Sequence, residues 1–278
     1  TIIALSSFTG FEKEYGTASC YEEGSSVVPM NNGGYLLSAA YNCGGGTQNW
    51  KSYLLHIDAN GDTLWSQRDL PVHGKVLPTT AGDYLFYGGT KAGLAYDTIR
   101  ISKADATGNI IWSRDIFMPL CKNTVADVIE VADGYIATGH YATGSCASTV
   151  YDAFVLKLDF NGNVLWTTRI EGTDNEQLHQ VKATPDGGIA AFGFTNSDTG
   201  PNGIEYMLVK LDGNGKQQWR KQFGNELNNY GYGMEVLANG NFIVTGYANA
   251  MDVYQLDAEG NMLWARQYGT ACGSSYFK

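Results

Sequence analysis

The stretch YLLHIDANGDTLW (Tyr53–Trp65) runs from an apolar segment through Asp58 into a turn at Gly61, and places Trp65 four residues after that glycine. The chain repeats it four more times, as TIRISKADATGNIIW (Thr98–Trp112), FVLKLDFNGNVLW (Phe154–Trp166), MLVKLDGNGKQQW (Met207–Trp219) and VYQLDAEGNMLW (Val253–Trp264). A second phrase precedes each copy: GGYLLSAAY from Gly33, GDYLFYGGT from Gly82, DGYIATGHY from Asp133, GGIAAFGFT from Gly187 and GNFIVTGYA from Gly240. The tryptophans are spaced 47, 54, 53 and 45 residues apart. A period in that range, made only of strand-like runs, signals a solenoid, array or propeller.

The apolar runs are short and rich in Tyr, Val, Ile, Leu and Phe, residues that suit a pleated, half-buried surface. The last two runs of each unit meet at Asn-Gly, Thr-Gly or Glu-Gly, where glycine takes positive φ without steric cost. Asp58, Asp105, Asp159, Asp212 and Asp257 stand ahead of those glycines, placed to hydrogen-bond the turn backbone. Four strands can be drawn in the first unit, Ser25–Pro29, Tyr35–Tyr41, Tyr53–Asp58 and Thr63–Arg68, and no amphipathic helix of ten residues is evident. The expected fold is all-β, a propeller of four-stranded antiparallel blades. Trp65, Trp112, Trp166, Trp219 and Trp264 would pack between blades, where a large ring buries the most area.

One propeller domain accounts for residues 1–278, with units at about 17–70, 71–116, 117–170, 171–223 and 224–268. Residues 8–16 read as an extra outer strand, because FEKEYGTASC (Phe11–Cys20) matches the end of the last unit, ARQYGTAC (Ala265–Cys272). Residues 269–278 form a stub resembling a further first strand. Five blades closing a ring are favoured because closure removes sheet edges; the alternative is part of a six- or seven-bladed array. The start at Thr1 reads as loss of a signal peptide or upstream segment.

Composition narrows the class. Thirty-five glycines and eighteen tyrosines, with 17% charged residues, describe a turn-rich β protein. No apolar run is long enough to span a bilayer as a helix. The net charge of −10 argues against nucleic acid, since no basic patch can release phosphate counterions, and suits solubility outside a cell.

Strand parity puts all five cysteines on one face, in loops between second and third strands (Cys43, Cys146) or between units (Cys20, Cys121, Cys272). Cys20/Cys43 and Cys121/Cys146 occupy equivalent places in the first and third units, which predicts two like disulfides and an oxidising, extracellular or cell-surface setting. Cys272 is left over and is a candidate for a link between chains.

LKLDFNGNVLW (Leu156–Trp166) with TPDGGIAAFGFT (Thr184–Thr195), and LVKLDGNGKQQWRKQFG (Leu208–Gly224), resemble the repeat propellers of large bacterial secreted and surface proteins, nearest those of the Bacteroidetes type IX secretion route. The resemblance covers roughly residues 8–270. It implies an exported propeller, usually one module of a longer adhesin or enzyme, and specifies a blade type rather than an activity. ADATGNIIW (Ala104–Trp112) is similar to the quinoprotein repeat, but its Asp–Gly spacing is one residue shorter and the adjacent cysteine pair is missing, so no quinone is expected. The sialidase Asp box differs in spacing as well.

Chemistry is harder to find. DANGD (Asp58–Asp62) alternates oxygen-bearing side chains as a calcium loop does, yet its glycine falls at the fourth position and other copies carry Thr107, Lys216 or Glu259. A turn explains all five copies, so no metal or other cofactor is assigned, with calcium the one candidate. A propeller glycosidase is the enzyme alternative, with Asp97, Asp152, Glu171, Asp174, Glu176, Asp198, Glu205 and Glu226 as loop-face acids lacking a diagnostic spacing. His56, His73, His140 and His179 are scattered and read as strand or loop residues. Tyr41, Trp50, Tyr96, Tyr141, Tyr151 and Tyr206, among Asn, Ser, Thr and Gly, are the candidate ligand-binding aromatics. The expectation is a non-catalytic extracellular module whose loop face binds a protein or glycan, or which self-assembles through the extra outer strand and Cys272.

Overall fold

The computed structural model describes residues 13–16, 19–30, 33–43, 51–70, 73–92, 96–116, 123–144, 149–197, 203–224 and 228–269. They form five four-stranded antiparallel sheets, each a meander of consecutive strands, which are the blades of a β-propeller. The first sheet holds β1 (Tyr21–Pro29), β2 (Tyr35–Asn42), β3 (Lys51–Ile57) and β4 (Thr63–Leu70). The second holds β5 (His73–Pro78), β6 (Tyr84–Ala92), β7 (Tyr96–Ala104) and β8 (Ile110–Ile116). The third holds β9 (Thr124–Val131), β10 (Gly134–Ala142), β11 (Tyr151–Leu158) and β12 (Val164–Ile170). The fourth holds β13 (Glu176–Ala183), β14 (Ile189–Thr195), β15 (Glu205–Leu211) and β16 (Gln217–Phe223), and the fifth β17 (Tyr230–Val236), β18 (Phe242–Tyr247), β19 (Met251–Leu256) and β20 (Met262–Tyr268). The expected first-unit strands recur within four residues at each end, and Pro29, Tyr35 and Thr63 are the bounds expected.

Two compact units divide the chain, one of Thr1–Gly93 with Arg100–Ser113, the other of Leu94–Ile99 with Arg114–Lys278. In the second unit, Ile136, Ala153 and Val155 of the third sheet pack on Leu178, Val181, Ala191, Met207 and Val209 of the fourth. The opposite face of the fourth sheet gives Ala190, Phe192, Tyr206 and Leu208 to a core with Met234, Phe242, Val244 and Tyr254 of the fifth. β14 is therefore buried at every position, which is why IAAFGFT shows no polar alternation. In the first unit, Leu36 and Leu54 pack with Val76, Tyr84, Phe86 and Ala104.

The repeated hairpin has a consistent construction. The Gly61, Gly108, Gly162, Gly215 and Gly260 amides donate to the carbonyls of Asp58, Asp105, Asp159, Asp212 and Asp257 at 2.9–3.1 Å. The Asp carboxylate then accepts two amides, as Asp58 does from Asn60 and Asp62, both at 2.8 Å. In the four hairpins whose register is defined, the pairing shifts by one residue beside the turn, the mark of a bulge with glycine in the left-handed region. Each turn carboxylate whose shift is resolved is held below the usual range by such hydrogen bonds, Asp105 to about 2, where the Thr107 hydroxyl contributes most.

These glycines also receive the repeat tryptophan. A Cβ on Gly215 would lie 2.6 Å from the Trp166 ring, one on Gly108 2.9 Å from Trp65, and one on Gly260 2.9 Å from Trp219. Each ring lies on the hairpin of the following blade. At the same end of the fourth blade, Lys210 of β15 is buried and pairs with Asp186 at 2.9 Å; Lys103–Asp83 and Lys157–Asp133 repeat the arrangement in the second and third.

Candidate functional site

The loop ends of the strands hold most of the residues singled out by the sequence, and packing sorts them. Tyr41 closes β2, donates to Asp69 at 2.9 Å and lies under the Arg68 guanidinium, 5.1 Å from its ring centroid. Tyr53 sits edge-on at 5.9 Å beneath the same guanidinium. Tyr141 is buried below Arg169, its hydroxyl pushed up to about 12 by burial and then by the Asp152 charge. Tyr206 is 0% exposed and donates to Asp252 at 3.1 Å across the fourth and fifth sheets. Tyr151 is half-buried, edge-on to His140 at 5.4 Å. Tyr41, Tyr141 and Tyr206 thus serve as packing and hydrogen-bonding groups with covered rings. Trp50 and the Tyr96 side chain lie outside the described residues.

Cys20 and Cys43 are bridged, tying the entry loop of the first sheet to its β2–β3 loop. Cys121, Cys146 and Cys272 lie outside the described residues, as do Asp198, Glu226 and the Asp97 side chain. Among the described residues no group of three or more His, Cys, Asp or Glu is arranged to hold a metal ion. At DANGD, Asp58 is engaged with the turn amides and Asp62 with Lys13.

Two candidate acids do converge. Glu176, at the start of β13, is fully buried, and its Oε1 accepts from Arg220 at 3.0 Å and from the Thr195 hydroxyl at 2.8 Å. Arg220 also donates to Thr195 and to the Glu171 carbonyl. Gly172 is required here, since a Cβ would lie 2.1 Å from Glu176 Oε1 and 2.3 Å from Ser197 Oγ. Asp152, second in β11, comes in from the third sheet. Burial raises it to about 6, the negative Glu176 and Glu171 push the same way, and the Gly172 amide opposes them. Glu176 Oε2 is buried without a hydrogen-bond partner among the described residues. The pair fastens the third sheet to the fourth and offers a substrate no exposed Glu176 oxygen.

The sequence reading passed over an exposed ring stacked on a histidine. In β13 the pairing skips from Leu178 to Gln180, and in β17 from Gly231 to Gly233, so His179 and Tyr232 are bulge residues. Their rings stack at 5.3 Å with 3° between planes, and His179 Nδ1 lies 2.7 Å from the Gly231 carbonyl. Phe194 backs His179 edge-on at 5.4 Å and meets Tyr230 at 5.1 Å. Tyr232 keeps 55% of its surface exposed. The half-buried His140 is pushed down to about 4, by desolvation and then by the His179 charge. The available signal was the alternation break in EQLHQV and YGYGMEV, where an extra residue must leave the ladder.

The architecture has known counterparts. A family model described as outer membrane protein assembly factor BamB matches residues 51–266. A Bacteroides caccae protein of unknown function superposes with a TM-score of 0.54 at 13% identity, covering 91% of this chain and 84% of the other. Moraxella catarrhalis BamB superposes with a TM-score of 0.50 at 13% identity, covering 88% and 76%. No curated protein matches. Among the described residues no helix is long and apolar enough to cross a membrane.

Proposed function

We propose that this chain, which belongs to the family of the outer membrane protein assembly factor BamB, is a non-catalytic propeller module that binds a protein partner at its loop face. One observation carries the reading. Among the candidate acids Asp152 and Glu176, with Arg220, are closed into a contact between sheets, whereas the flat Tyr232 ring, stacked on His179, is presented outward. A stiff, half-exposed tyrosine beside an imidazole gives apolar contact area with a polar edge at low entropic cost. The Cys20–Cys43 bridge supports an extracellular or cell-surface location. Glycan binding is the second reading, favoured by the same ring, which fits the apolar face of a sugar.

Photo-crosslinking from position 232 in native cells, using a benzophenone amino acid in place of Tyr232, tests the proposal. A discrete protein adduct, lost when the same probe occupies Glu259 on the opposite hairpin, is the expected result. Glycan-array binding that depends on Tyr232 without a protein adduct would replace the first reading with the second. Hydrolysis of a polysaccharide panel that disappears in Asp152→Asn would overturn both.

A further inference from the structure

We infer that Asp152, Glu176 and Arg220 form a proton-operated latch: a neutral Asp152 holds the loop 171–175 closed against the third and fourth sheets, and an ionised Asp152 lets it open. The latch goes beyond the binding reading above and does not depend on what the loop face takes up. Every residue in it belongs to the second compact unit. The loop joins β12 to β13, and most of its fasteners do not titrate. Asn175 Oδ1 accepts from the Tyr151 amide at 2.9 Å, which ties the loop to the third sheet. The Asp174 amide donates to Ser197 Oγ and the Asn175 amide to Asn196 Oδ1, both at 2.8 Å, which ties it to the end of β14. One further fastener does titrate: the Gly172 amide donates to the Asp152 carboxyl.

The charges around Asp152 do not balance. Asp152 is 9% exposed and Glu176 0%. Arg220 of β16 is committed to Glu176 Oε1, to the Thr195 hydroxyl at 3.1 Å and to the Glu171 carbonyl at 3.2 Å. The second guanidinium of the neighbourhood, Arg169 of β12, lies over the Tyr141 ring and pairs with Glu171 at 3.9 Å. From β10 the Tyr141 hydroxyl hydrogen-bonds Asp152, and from the loop Glu171 adds a further negative charge. Two buried carboxylates therefore meet at one junction while its guanidinium serves Glu176. Like charges at a shared buried site strongly disfavour ionising both groups.

The two states follow from that imbalance. In the closed state the Asp152 hydroxyl donates to the Glu176 carboxylate, while its carbonyl oxygen keeps the Gly172 amide. When the proton leaves to solvent, two negative groups face each other without water, and Asp152 must move away from Glu176. Gly172 cannot yield inward, since it already stands against Glu176 Oε1 and Ser197 Oγ with no room for a methyl group. The loop therefore follows Asp152 outward. The midpoint lies near neutrality, because burial and then the Glu176 and Glu171 charges raise Asp152 to about 6. A group whose closed-state value is raised holds the loop fully below its ordinary value near 4 and releases it as pH climbs through about 6.

Amide hydrogen exchange of the 172–175 segment, corrected for the intrinsic rate, tests the latch. From about pH 5 to about pH 7.5 the opening equilibrium of the native chain should rise roughly tenfold. Asp152→Asn, uncharged at every pH and still able to accept from Gly172, should give equal protection at both. Glu176→Gln, which removes the opposing charge, should flatten the response as well. Equal protection at both pH values in the native chain overturns the inference, as does a native-like response in Asp152→Asn. So does loosening shared by the Asp257–Gly260 hairpin of the same unit, whose carboxylate lies below its ordinary value and does not titrate in this range. A carboxyl carbon-13 titration of the native chain needs no variant: an Asp152 midpoint near 4 sinks the latch.

Discussion

Two glycines of the fourth blade separate backbone cost from packing cost. Gly187 and Gly215 both sit at hairpin positions with φ near +80°, +80° and +84° respectively. A Cβ on Gly187 meets nothing within 4 Å, whereas one on Gly215 would lie 2.6 Å from two carbons of the Trp166 ring. Gly187→Ala should therefore cost only the left-handed conformation, about 1–2 kcal/mol. Gly215→Ala carries that cost plus displacement of a packed indole, about 1–3 kcal/mol more by analogy with overpacked cores. Equilibrium urea unfolding followed by tryptophan fluorescence and circular dichroism measures both. The double variant Gly215→Ala/Trp166→Ala should be less destabilised than the sum of its single changes, because the ring responsible for the overlap is gone. Equal losses in Gly187→Ala and Gly215→Ala, or strict additivity in the double variant, would refute the claim that the repeat tryptophan seats on the next hairpin.

Other consequences can be measured with the same assay. Asp152 is raised to about 6, so the folded state holds a proton that the unfolded chain releases near 4; its contribution is full below pH 4 and fades as pH climbs to about 6. Asp152→Asn should remove that component of the pH profile, and an unchanged profile would show that the carboxylates are not coupled. Glu176→Ala strands the Arg220 guanidinium and should cost about 3–5 kcal/mol, a loss below 1 kcal/mol arguing that the ion pair is incidental. Reducing Cys20–Cys43, which spans 23 residues, should remove about 3 kcal/mol from the first sheet, seen as earlier hydrogen exchange in β1–β3; unchanged exchange rates would show that the bridge adds nothing.

The turn chemistry was legible because it is local. Asp58 and Gly61 lie three residues apart, and the hydrogen bonds and left-handed φ they require are met within the hairpin, so the strand order follows from the repeat. The equivalence of repeat units also pointed to the Cys20–Cys43 pairing. The loop tyrosines were read less well. Tyr41, Tyr141 and Tyr206 stand in loop-proximal positions that look accessible along the chain, yet two lie beneath an arginine from the outer strand and the third between sheets.

By itself, then, the sequence determined an all-β chain of repeated four-stranded units, their turns and the docking role open to each tryptophan, because these depend on period and near-neighbour chemistry. Tertiary structure decided the fate of individual side chains. Asp152 is raised beside Glu176 only because strands from two blades bring them together, and the energy of that encounter appears in neither segment alone. His179 and Tyr232 stack because two separate bulges eject them toward each other.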